Sequence, residues 1–283
     1  MVAKYERNLM SNTRKIFDML ALRMHQRRAK LLGSVDFVDK FSINQVHERL
    51  SDIKRTFKYP AIIGQKTSFW AKKLGLNNAI LIDDDDHLDF NDKKFDFIIH
   101  ALSLHWHDDP VGQLIQVRQA LEPDGLMLAF FLGGETLYEL RTVFEQAELK
   151  TENGISPRVA PMIELRDAGD LLVRAGFALS VADSTDLEVI YTTPIELLHD
   201  LRGMGETNIM VDRRKNFLKR ETLKNLIELY ATQFNAHKYD GGVKATFQLF
   251  CLTGWAPSKN QQKPLRRGSA THSFTDVLGT YKL

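Results

Sequence analysis

The chain is predicted to be an α/β protein with a mostly parallel sheet covered by helices on both faces. Three observations carry this. The strand candidates Ala61–Ile63, Ala79–Ile82, Phe95–Ile99 and Leu126–Leu132 are near-continuous apolar runs rather than alternating ones. Strands buried on both faces read that way, and such burial is usual for parallel sheets. Helical patterns alternate with these strands, which is the order a parallel sheet needs. Finally, Phe95 to Gly134 reads strand, helix, strand without interruption, and helices recur on either side of it.

Each element follows from local signals. Val46, Leu50, Ile53 and Phe57 fall at helical spacing, so a helix is expected over 44–57, stopped by Pro60. Ser68 to Leu74 forms a short helix closed by Gly75. Asp109 caps a helix that begins at Pro110 and buries Val111, Leu114, Ile115 and Leu121. Glu122-Pro123-Asp124-Gly125 suits a type I turn. Gly133-Gly134 ends the strand after it, and Leu137, Leu140, Phe144 and Ala147 mark the next helix. Beyond Thr151 the spacing predicts a helix over 167–175, a strand through Leu187, Val189 and Tyr191, and a capping box at Thr193–Glu196. A helix through Leu223 to Phe234 and a last, antiparallel edge strand from Val243 complete the chain. The expected organisation is an N-terminal helical segment (1–57), a sheet core (58–150), a helical insertion with the final strands of the same domain (151–256), and a polar, basic tail (257–283).

Bulk properties narrow the function. Thirty-eight basic and 36 acidic residues give a net charge of +2, without the basic excess of a nucleic-acid binder. The single cysteine, Cys251, excludes an internal disulfide and fits a reducing compartment. The longest apolar run is far below the ~20 residues of a membrane span. Residues 1–30 are Arg-rich and acid-poor, a pattern shared by transit peptides and basic surface helices.

Seven stretches carry a family resemblance: 16–38 (IFDMLALRMHQRRAKLLGSVDFV), 101–110 (ALSLHWHDDP), 131–141 (FLGGETLYELR), 156–162 (SPRVAPM), 175–177 (AGF), 200–208 (DLRGMGETN) and 252–270 (LTGWAPSKNQQKPLRRGSA). With them the chain resembles class I S-adenosylmethionine-dependent methyltransferases, and within these the alphaproteobacterial and mitochondrial complex I assembly factors, relatives of the malonyl-carrier-protein methyltransferase. The resemblance implies a methyltransferase-type, Rossmann-like sheet, S-adenosyl-L-methionine as cofactor, and a complex I subunit as protein partner. The mitochondrial branch is described as hydroxylating arginine. In this fold the cofactor lies across the carboxyl ends of the strands.

The cofactor side departs from the pattern. The first-strand loop is Ile62-Ile63-Gly64-Gln65-Lys66-Thr67-Ser68, where the family's loop resembles D-L-G-x-x-x-G. The segment from Gln65 to Asp83 is too short for a further βα unit, which takes roughly 30 residues with its second strand, so one unit is expected to be missing. The expected cofactor-binding residues are then Gly64, Asp83, Asp84 and Ala101. Asp84 falls at the family's adenine-side acid. Either Asp83 or Asp84 could replace the lost ribose acid if the shortened strand lies beside the first one. His105 is the candidate base, and Trp106, Gly133 and Gly134 the candidate pocket residues. The His100, His105, His107 spacing lacks a completing cysteine or acid, so no metal is expected.

Two readings stand: an S-adenosylmethionine-dependent enzyme acting on a complex I subunit, or a methyltransferase-fold assembly factor that has lost the cofactor. The resemblance starts near Ile16, leaving only about 15 residues ahead of it, short for a transit peptide. A bacterial cytoplasm is therefore expected over a mitochondrial matrix.

Overall fold

The structure, a computed structural model, describes residues 15–236, 241–262, 268–269 and 271–273. The basic residues of 1–14 and Lys263, Arg266 and Arg267 of the tail lie outside the described residues.

In chain order the elements are α1 (Met19–Leu32), α2 (Phe37–Asp52), β1 (Pro60–Gly64), α3 (Thr67–Leu74), β2 (Ile80–Ile82), β3 (Phe95–Ala101), a 3-10 turn (Leu104–Trp106), α4 (Pro110–Ala120), β4 (Leu121–Leu132), α5 (Tyr138–Glu152), α6 (Leu165–Ala175), β5 (Ala178–Tyr191), α7 (Pro194–Met204), α8 (Arg220–Gln233) and β6 (Val243–Trp255). Six strands form one sheet in the order β2-β1-β3-β4-β6-β5. Strands β1 to β4 pair in parallel, and β6 runs antiparallel between β4 and β5. The α/β class and the helical insertion before the last strand are thus as expected. One correction concerns β6: it is internal, and β5 forms the edge.

The sheet also shows what the short Gln65–Asp83 spacing produces. β2 pairs directly with β1, Ala61 opposite Ile80 and Ile63 opposite Ile82. No helix or further strand lies between β2 and β3. The shortened strand therefore sits beside the first strand.

Alternate residues of each strand feed two cores, as the period of two requires. Ile62, Phe97, Ile99, Leu128 and Phe130 face α2, α3, α5, α7 and α8. Ala61, Ile63, Ile98, Met127 and Ala129 face α4 and α6. A third, smaller cluster joins Phe17, Ala21 and Leu22 to Trp106, Ala160, Ile209 and Met210. It fixes α1 over the carboxyl ends of the strands, helped by Asp108, whose Oδ1 accepts from the Ile16 and Phe17 amides.

Local signals mostly fixed the element ends. Asp109 accepts from the Gly112 amide at 2.8 Å with Pro110 in the first helical position. Gly75 and Gly176 end α3 and α6 in the left-handed region. Three expectations need correction. The helix predicted over 44–57 spans 37–52, because Phe37 and Phe41 add an apolar turn at its start and Ile53 is already extended. Asp124 has φ 64°, which a type I turn does not allow at its third position and a type II turn does. In the capping box Thr193 accepts from the Glu196 amide, but Glu196 accepts from Thr192, one residue earlier than the reciprocal pattern.

Cys251 lies inside β6, buried in the sheet. Burial, with Asp183 adding to it, pushes its thiol up to about 12 against the opposing effect of Arg49. The thiolate is the reactive form. Native protein at pH 8 should therefore leave a thiol-reactive probe unconsumed, with one equivalent consumed after denaturation. Rapid native labelling would contradict this burial.

Candidate functional site

Two cavities open near the carboxyl ends of the strands. The smaller, about 70 Å³, lies over the ends of β1 and β3 and is lined by Gln65, Lys66, Ala101, Leu102, His105 and Leu132, with α1 and α2 closing it. By position this is the cofactor cradle of the fold. An internal polar cluster forms part of its wall. Lys66 Nζ donates to Asp39 Oδ2 at 2.6 Å and to the Val35 carbonyl at 3.0 Å. Trp70 Nε1, fully buried, donates to Asp39 Oδ1 at 2.9 Å.

Gly64 has a packing role here. Its φ is +142°, and a Cβ at this position would lie 2.6 Å from the Ala101 carbonyl oxygen. The glycine lets the ends of β1 and β3 meet. Gly64→Ala should destabilise the fold by about 2 kcal/mol or more through strain and overpacking, seen as a lower denaturation midpoint. An unchanged midpoint would contradict the close approach.

The larger cavity, about 620 Å³, lies alongside and shares Leu132 and Glu206 with the cradle. Its apolar wall includes Leu137, Leu140, Phe144, Val159, Met162 and Leu201, and its polar wall includes Arg28, Arg158, Arg202, Arg214 and Glu206. Several of these cations are tied down. Arg158 and Arg214 pair with Glu148, Arg214 also with Glu152, and Arg213 with Asp18. Glu148, whose side chain is fully buried, accepts from the Ser156 amide and hydroxyl and from Arg158 Nε. These bonds and the Arg158 charge outweigh burial and hold its carboxyl below the usual range.

The 3-10 turn after β3 delivers His105 and Trp106 to these cavities. His105 Nε2 lies 3.1 Å, and Trp106 Nε1 2.9 Å, from the same Glu206 oxygen. The base candidate thus has a carboxylate partner, brought from the loop after α7. Spacing could not show it, because 101 positions separate the two residues. The stretch DLRGMGETN held the signal: it carries family resemblance from the last turn of α7 into the loop that bears Glu206.

The remaining candidates separate. Asp83 is exposed at the carboxyl end of β2, next to β1. Asp84 points inward. Its Oδ1 lies 2.6 Å from His107 Nε2, and both residues are buried. His100 lies beside them. Burial holds the His100 imidazole down at about 4. For His107 burial acts downward, yet the Asp84 bond and the charges of Asp84 and Asp86 outweigh it and raise its pKa. Ala101 lines the cradle, whereas Gly133 and Gly134 line neither cavity. A Cβ on Gly133 would meet the Phe250 ring, and one on Gly134 the Gln248 side chain. Both glycines let β4 leave the sheet against β6.

A six-stranded sheet of this order, with a ligand site over the carboxyl ends and a helical cap across it, defines a class I methyltransferase-fold protein. The methyltransferase domain family matches residues 65–129. Over 264 residues the chain is 35% identical to the mitochondrial arginine-hydroxylase NDUFAF5 of Danio rerio, covering 85% of this chain and 81% of the relative. The chain belongs to that family, the complex I assembly factors of the class I methyltransferase superfamily. It is also 30% identical over 194 residues to the malonyl-[acyl-carrier protein] O-methyltransferase of Xylella fastidiosa, covering 69% of this chain and 61% of the relative. Among solved structures, the YcgJ protein of Bacillus subtilis aligns with a TM-score of 0.46 at 13% identity, over 77% of this chain and 99% of that one.

S-adenosylmethionine is the cofactor class of this family. The residues present do not fit it as the cradle stands. Small-molecule sites usually enclose at least ~300 Å³, the cradle has about 70 Å³, and Asp84 is engaged by His107. Asp83 remains as the only free acid of those two beside β1. No helix of the described residues is long and apolar enough to cross a membrane.

Proposed function

We propose that this chain acts on a protein partner during assembly of respiratory complex I, receiving a segment of that partner in the 620 Å³ cavity. One observation carries the reading. Stretches that bear the family resemblance wall this cavity: His25 and Arg28 from 16–38, Thr136 and Leu140 from 131–141, Arg158 and Met162 from 156–162, and Leu201, Arg202 and Glu206 from 200–208. The stretches that resemble the family thus include the wall that would meet the partner, and they line most of the cradle as well. Glu206 supplies the carboxylate on the wall and holds His105 as a base. The relatives' name, arginine-hydroxylase, makes an arginine side chain the first substrate to test.

The test compares complex I subunits from cells with and without the chain by mass spectrometry. An arginine whose mass changes only when the chain is present, and no longer changes with Glu206→Gln, supports the reading. Identical subunits and identical complex assembly in both cells would overturn it.

A second reading is favoured by the cradle. Its 70 Å³ volume and the Lys66–Asp39–Trp70 cluster support a chain that meets its partner without S-adenosylmethionine. Partner binding that is equal with and without the cofactor is the expected result.

A further inference from the structure

We propose that Asp84, His100 and His107 bind one divalent first-row transition-metal ion. Folding brings the three together from the end of β2, from β3 and from the residue after the 3-10 turn. One donor atom of each lies within 4.8 Å of the others, and all three residues are buried. Two imidazoles and a carboxylate are a ligand set for zinc or ferrous-type ions, and with three protein ligands a position stays open.

A second observation points to a ligand there. Asp84 Oδ2 and His100 Nε2 have no hydrogen-bond partner, although the residues are only 3% and 0% exposed. Buried polar atoms are rarely left unpaired without a reason. Asp84 Oδ2 and His100 Nε2 would each gain a partner from an ion that they ligate.

The surroundings suit a metal as well. Metal-bound histidines are normally held through their second nitrogen. Ser103 Oγ lies 3.3 Å from His100 Nδ1, and Asp86 Oδ1 lies 3.8 Å from His107 Nδ1. Gln113 Nε2 donates to the Asp85 and Asp86 carbonyls and so fixes the acidic loop over the cluster. Asp83, Asp85 and Asp86 are exposed on that loop and give a cation a favourable approach.

The site is distinct from both cavities, since none of the three residues lines either of them. His100 follows Ile99 on β3 and points to the α4 face of the sheet. An ion here would clamp the acidic loop to the 3-10 turn, and that turn carries His105 and Trp106 to the Glu206 carboxylate. It is a positioning site, independent of whether S-adenosylmethionine binds.

The experiment uses the untagged full chain, stripped with chelator and titrated separately with Co(II), Zn(II) and anaerobic Fe(II). One equivalent of Co(II) should bind with visible d–d absorption that Zn(II) abolishes. His100→Gln and His107→Gln should each weaken binding by more than about a hundredfold, beyond the usual effect of losing a mere supporting contact. Circular dichroism checks that each variant folds. If one does not, paramagnetic shifts from Co(II) on the wild-type histidine resonances locate the ion. Folded wild-type protein that holds no ion at millimolar metal would overturn the proposal. So would equal binding in both variants, or shifts confined to His25, His47 or His199.

Discussion

Replacing Glu148 by alanine is expected to destabilise the protein by about 3–5 kcal/mol, the usual cost of breaking a buried ion pair by removing one partner. Glu148 has no exposed side-chain surface, and it accepts from Ser156 and Arg158 while Arg214 lies 3.7 Å away. Its loss leaves the Ser156 amide and the Arg158 guanidinium unpaired at a nearly closed site. For a domain of this size the change corresponds to a fall in melting temperature of roughly 10 °C. Glu148→Gln should recover part of the loss, because an amide oxygen still accepts from Ser156. The same variant should disturb the large cavity, since Arg158, Val159 and Met162 on the following segment form its wall. The carboxylate also gives a signed pH effect. Its folded pKa lies below the ordinary value, so its contribution to stability is complete above the unfolded pKa. That contribution is lost as pH falls through the folded value. Thermal melts across the acid range should decline more steeply for the wild type than for Glu148→Ala, in which Asp18, Asp84 and Glu152 still contribute. Equal pH slopes would contradict the assignment.

Asp39→Ala is the second large effect. Asp39 is the common acceptor for Trp70 Nε1 and Lys66 Nζ, so its removal strands a fully buried indole N–H and leaves the Lys66 ammonium, still bonded to the Val35 carbonyl, without its counter-charge. An orphaned buried donor costs ~1–3 kcal/mol, and the lost charge pair adds to it, giving about 3 kcal/mol in total. Asp39→Asn keeps an acceptor for Trp70 and should cost clearly less in a denaturant titration. If alanine and asparagine are equally mild, the cluster does not hold the cradle together.

These two clusters show what the sequence did and did not make legible. The strands were readable because Ile62-Ile63 and Phe97-Ile98-Ile99 are apolar on both faces, which few other environments require. The ends of α3, α4 and α6 were readable because Gly75, Asp109 and Gly176 answer to local backbone needs. The short spacing after Gly64 was readable as missing chain, and β2 lies against β1 accordingly. The placement of β6 was not readable, because antiparallel pairing with both β4 and β5 depends on the long-range return of the chain. Nor were the side-chain partners. Glu206 meets His105 and Trp106, Asp84 meets His107, and Asp39 meets Lys66, each across tens of residues and through loops whose path no periodicity encodes. Gly133 and Gly134 illustrate the converse. A glycine pair at a strand end suggests a ligand, yet here Phe250 and Gln248 occupy the space that side chains would need.

The central claim is that the chain meets its partner at the large cavity, while the cradle over β1 and β3, narrowed to about 70 Å³ beside the Lys66–Asp39 pair, does not take S-adenosylmethionine. Isothermal calorimetry with S-adenosylmethionine on the full chain tests it most directly. The account predicts no heat of binding and no rise in melting temperature at millimolar cofactor. Saturable one-to-one binding, with a stabilisation of ~2.7 kcal/mol at a hundred times the dissociation constant and its loss in Asp83→Ala, would contradict it.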